Sequence, residues 1–112
     1  MMGNAGSDYG YFQRALKAGS YASAWQFACQ LPTVSLADAL SLTLLAAKDD
    51  PERFDAMALR WLCRLAAERS LTLAEFAEAA AELQGVPMGI GDGAGLRAAL
   101  QEKPLKGSIG AA

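Results

Sequence analysis

The chain has 112 residues, with 10 lysines and arginines against 12 aspartates and glutamates, a formal net charge of −2. Its 53% hydrophobic content excludes the disordered class, and its length argues for one domain. Histidine is absent, which removes the commonest general base and metal ligand, and the charge balance gives no basic excess for nucleic acid.

The small, polar residues 1–7 read as disordered. Residues 1–10 carry no lysine or arginine and no apolar core, so they do not read as a signal peptide. Ser7 or Asp8 can cap a first helix to about Ala18, burying Phe12, Ala15 and Leu16, and Gly19 stops it. Ser20 caps a second helix over 21–30, with Tyr21, Ala24, Trp25, Ala28 and Leu31 on one face, and Pro32 ends it. Ser35, with Asp38 three residues later, resembles a capping box and opens a third helix to about Lys48. Leu36, Leu40 and Leu44 form its main stripe, and Leu42 and Leu45 lie to the side.

Asp50-Pro51-Glu52 is a strong helix start, and the fourth helix runs to about Arg69. Phe54, Met57, Ala58, Trp61, Leu62 and Leu65 recur at helical spacing, and Leu59, Cys63 and Ala66 extend the apolar surface to a second side. A helix apolar almost all round is expected to be central, with neighbours on several sides. Thr72 and Glu75 form a capping box for a fifth helix, with Leu73, Phe76, Ala77, Ala80 and Leu83 inward and Glu75, Glu78 and Glu82 outward. Gly85 and Pro87 end it, Met88–Gly95 reads as a flexible linker, and 96–103 as a short, weak helix before a loose tail.

No segment alternates with the period of a strand. The predicted fold is all-α: a compact bundle of about five short helices plus a weak sixth, mostly antiparallel neighbours. The expected organisation is a disordered start over 1–7, a helical domain over 8–85, and linker, helix and tail over 86–112. Cys29 and Cys63 fall within apolar helical patterns and read as buried, reduced thiols of a cytoplasmic protein. No apolar run reaches the roughly 18 residues of a membrane span.

Two resemblances accompany these patterns. Gly19-Ser20-Tyr21-Ala22-Ser23-Ala24, followed by Leu31-Pro32, resembles the second half of a tetratricopeptide repeat, in which small residues let two helices approach closely. No second copy follows at the repeat's period of about 34 residues. The span from Phe12 to Leu83, through Leu31-Pro32-Thr33-Val34-Ser35, Asp50-Pro51-Glu52-Arg53-Phe54, Ala58-Leu59-Arg60-Trp61 and Leu71-Thr72-Leu73-Ala74-Glu75, resembles a group of small all-helical proteins of high-GC actinobacteria. That resemblance implies a helical fold and brings no activity, substrate or site.

Chemical motifs are weak. The 71–86 segment opens like a helix-turn-helix, but Gly85 falls eight residues after Ala77, and 87–95 holds no basic residue. Gly89, Gly91, Gly93 and Gly95 lack the strand and the Gly-Lys-Ser/Thr of a phosphate loop. The serines and cysteines have no histidine to activate them, so no catalysis and no cofactor or metal are expected.

Arg53, Arg60 and Arg64 share a narrow strip that could meet phosphate or an acidic partner, or pair with Asp49, Glu52 or Glu68. From Ala18 to Ala47 the only charge is Asp38. Phe27 on the second helix, and Leu42 and Leu45 on the third, have no obvious cover. The expectation is a non-catalytic protein–protein interaction module, a homodimer through these helices or the small partner of a larger protein. The alternative is a nucleic-acid-associated regulator using the arginine strip.

Overall fold

The computed structural model describes residues 3–100, with side chains from residue 8 onward. The predicted tail, from Leu105 on, and the end of the predicted sixth helix lie outside the described residues. The fold is all-α. Five α-helices follow one another: α1 (Gly3–Ala18), α2 (Tyr21–Gln30), α3 (Leu36–Asp49), α4 (Pro51–Arg69) and α5 (Leu73–Gly85). A 3-10 turn covers Val86–Met88, and residues 94–100 are helical again, here α6. No strand occurs among the described residues. The chain divides into two compact units, Met1–Phe54 and Asp55–Ala112.

The first unit holds α1, α2, α3 and the first turn of α4. α1 begins at Gly3, ahead of the start that capping at Ser7 or Asp8 predicts. It ends as predicted. Gly19 sits at φ +73°, its N–H donates to the Leu16 carbonyl at 3.1 Å and that of Ser20 to Ala15 at 2.9 Å, which closes the last turn. Ser20 stands at the cap position of α2, but its side chain makes no capping bond. Ser35 does cap α3, accepting the Asp38 N–H at 3.1 Å. The Asp38 carboxylate turns to α1 instead, accepting the Tyr9 hydroxyl and the Gln13 amide, each at 2.9 Å.

Phe12, Ala15, Tyr21, Ala24, Leu36, Leu40, Leu42, Thr43, Ala46 and Phe54 are buried. The α3 stripe therefore differs from the predicted one. Leu44 is half-buried, and Thr43 takes a core position because its hydroxyl donates to the Ala39 carbonyl at 2.8 Å. Asp50 alone separates α3 from α4. Its carbonyl accepts the N–H groups of Arg53 and Phe54 at 3.0 and 3.2 Å, opening α4 behind Pro51.

In the second unit, Met57, Ala58, Trp61, Leu62 and Leu65 of α4, Ala79 and Leu83 of α5, and Leu96 of α6 are buried. Thr72 and Glu75 form the complete capping box that opens α5. Leu73, at the first position of α5, is 86% exposed rather than inward, and Ala77 is exposed too. Gly85 ends α5 without a left-handed turn. A Cβ there would lie 2.9 Å from the Ile90 carbonyl oxygen, so only glycine admits the returning chain. The Ile90 N–H donates back to the Gly85 carbonyl at 2.9 Å. The glycine-rich stretch that follows is a defined run of turns, with Asp92 Oδ1 accepting the Ala94 N–H at 3.0 Å ahead of α6.

Candidate functional site

The first unit covers more of its apolar surface than its uncharged sequence suggests. Leu42 is only 6% exposed, so it belongs to the core rather than to a free face. Phe27 and Leu45 are half-buried. Phe27 stacks on Tyr11 of α1, with ring centroids 5.4 Å apart, and the Arg14 guanidinium lies 5.1 Å from the Tyr11 ring. The cover that Phe27 lacked in the sequence is supplied by α1.

A second cluster joins α2 to the start of α4 within the same unit. Asp50 Oδ2 accepts the Tyr21 hydroxyl at 3.1 Å and pairs with Arg53 Nε at 3.4 Å. The Arg53 guanidinium also lies 4.8 Å from the Trp25 ring centroid. Burial is the first cause that raises the Tyr21 pKa above its ordinary value, and the bond to anionic Asp50 is the second. The more exposed Tyr9 is also raised, first by its bond to Asp38.

The arginine strip thus separates into three situations. Arg53 is engaged with Asp50 and Trp25. Arg64 pairs with Glu68 at 3.1 Å, one of the acids that spacing made available. Arg60 is exposed. With Arg53 and Arg64 each occupied by an acid, the strip offers little net positive field for a phosphate backbone.

The larger departure lies on α4. Of the second apolar side predicted to be internal, Leu59 and Cys63 are external and Ala66 is half-buried. Leu59 is 62% exposed, and Ala56, Cys63 and Ala67 are exposed with it. Cys29 is exposed as well, so neither thiol is buried as expected, and both are free. Their apolar neighbours in the sequence suggested an interior position, but periodicity alone does not report how wide an arc the neighbouring helices cover.

Ala56, Leu59, Cys63 and Ala66 follow one another at spacings of three, four and three residues. This is the alternation of the first and fourth positions (a and d) of a seven-residue helix–helix seam. Small side chains at three of the four positions allow a close approach. Exposed Asp55 and Arg60 lie one position to either side of the Ala56–Leu59 step, at g and e. The signal was present in the sequence as the second apolar side of α4, and only its exposure was missing.

Among the described residues no group of His, Cys, Asp and Glu could hold a metal ion, and no helix is long and apolar enough to cross a membrane. No protein family, curated protein or solved structure matches the chain.

Proposed function

We propose that this chain is a self-associating protein–protein interaction module whose two copies meet through the outer face of α4. The observation that carries the reading is Leu59, 62% exposed and in line with Ala56 and Cys63 on one helix. A twofold seam of this kind covers the same apolar strip on both copies. Of the candidates on α2 and α3, Leu42 is core and Phe27 has a partner in Tyr11, and Leu45 is half-buried, so none of the three is as exposed as Leu59.

The flanking charges favour a parallel pairing. In a parallel seam a g residue meets the e residue of the next heptad on the other helix, which sets Asp55 beside Arg60 of the second copy, twice over. An antiparallel seam sets e against e, and Arg60 then faces its own kind. The exposed thiols of Cys29 and Cys63 fit a reducing, cytoplasmic setting, where they stay unpaired.

Sedimentation of the full chain between about 1 and 500 µM tests the proposal. A mass rising from one copy to two supports it, and a single-copy mass throughout refutes it.

A further inference from the structure

The second unit contains a cleft of about 410 Å³, walled by the C-terminal half of α4, by α5 and by α6. Its apolar floor comes from Trp61, Leu65, Ala79 and Leu96, all buried. That volume lies in the range of small-molecule sites, roughly 300–1,000 Å³.

The rim is chemically one-sided. Glu75, Glu78 and Glu82 recur along α5 at spacings of three and four residues, so they line one edge. Among the described residues that line the cleft, one guanidinium stands against these three carboxylates, that of Arg69, which donates to the Leu100 carbonyl at 3.3 Å. Two of the acids are fixed by backbone groups. Glu75 Oε1 accepts the Thr72 N–H at 2.9 Å, and Glu82 Oε2 accepts the Leu96 N–H at 3.3 Å. Gly95 leaves room for the second contact, since a Cβ there would stand 2.8 Å from Glu82 Oε1 and the carboxylate would have to shift. Glu78, between them, is exposed and has no hydrogen-bond or ion-pair partner among the described residues.

We propose that this cleft is a binding site for a small organic amine, an ammonium group carried on an apolar body. The body seats on Trp61, Leu65 and Leu96, and the ammonium reaches Glu78 between its two fixed neighbours. The carboxylate majority makes the site selective by sign, since an anion of the same shape meets repulsion and cannot regain its lost hydration. Polar groups in an apolar site of this size set which ligand enters more than how tightly it is held.

The test is an NMR titration of the full chain with phenylbutylammonium and, separately, phenylbutyrate, which share an apolar body and differ in charge. For ligands of this size the expected Kd of the ammonium is in the low-millimolar range or tighter, about that given by ordinary ligand efficiency. The carboxylate should bind roughly tenfold more weakly, and amide shifts should concentrate in residues 75–82 and 96–100. Glu78→Gln, at an exposed position, should weaken the ammonium roughly three- to tenfold without moving the melting midpoint. Ala99→Trp, also exposed, should fill the mouth and block it. Equal binding of the two probes, no binding at about 10 mM, shifts centred elsewhere, or an unaffected Glu78→Gln variant would each overturn the assignment. None of these readings depends on association through α4.

Discussion

Leu59→Lys separates an interface on α4 from a core position on the same helix. Full burial of a leucine side chain stabilises by about 1.5–3 kcal/mol. With 62% of Leu59 available to be covered, each copy stands to contribute roughly 1–2 kcal/mol, and two copies roughly 2–4 kcal/mol. At about 1.4 kcal/mol per tenfold, the loss corresponds to roughly 30- to 700-fold in Kd. Lysine adds to this, because a parallel seam brings two ammonium groups face to face beside the two Arg60 side chains. The assay is sedimentation equilibrium read beside a chemical melt followed by circular dichroism. The variant should remain a single copy at concentrations where the original chain pairs, while its unfolding free energy, compared at concentrations too low for pairing, stays within about 0.5 kcal/mol, as for exposed positions generally. Leu42→Lys is the counterpart: at 6% exposure it places a charge in the core and should unfold the chain. Association of Leu59→Lys with unchanged affinity would refute the α4 interface.

Three further outcomes are expected. In a Cys29→Ser background, oxidation by copper phenanthroline and oxygen should link Cys63 to Cys63 of the second copy, because an a–a layer sets two Cα atoms roughly 6 Å apart. A non-reducing gel showing no covalent dimer would argue against parallel pairing. Trp61→Ala removes the largest side chain of the second unit's core, 2% exposed, and should cost about 3–5 kcal/mol in a denaturant melt. A loss below about 1 kcal/mol would displace Trp61 from that role.

Tyr21→Phe removes the bond to Asp50 and should cost about 1 kcal/mol at neutral pH. Because the Tyr21 pKa is raised in the folded chain, its contribution is complete below the ordinary tyrosine value of about 10 and is lost as pH climbs through the folded value. The gap between the two proteins in alkaline melts should therefore narrow above about pH 10, and a gap that widens there would contradict the assignment.

Helix boundaries were the most legible part of the sequence because they depend on local chemistry. Gly19 must supply a left-handed residue, Pro51 a fixed φ, and the Thr72–Glu75 pair its reciprocal bonds, and each acts within four residues of itself. Which faces are buried was less legible. Leu59 and Cys63 have the composition of a core and Leu73 that of an inward first turn, yet cover depends on helices distant in sequence. Thr43 went unrecognised as core because its polarity is cancelled by a bond to its own helix. In the candidate site, the Arg64–Glu68 pair could be read from spacing, whereas Arg53 over Trp25 joins residues 28 positions apart on different helices.

Asp38 has a consequence for the uniqueness of the first unit. A leucine-rich helix such as α3 can slide along or rotate against an apolar neighbour with little change in the area it covers. Hydrophobic contact alone leaves such registers nearly degenerate. The carboxylate of Asp38, the sole charge between Ala18 and Ala47, accepts Tyr9 and Gln13 of α1 at the same time. A slip by one turn would forfeit both bonds. Asp38 thus acts as a pin on a greasy shaft: exchanging it for leucine would preserve helix content and much of the stability while releasing α3 to sample several alignments against α1.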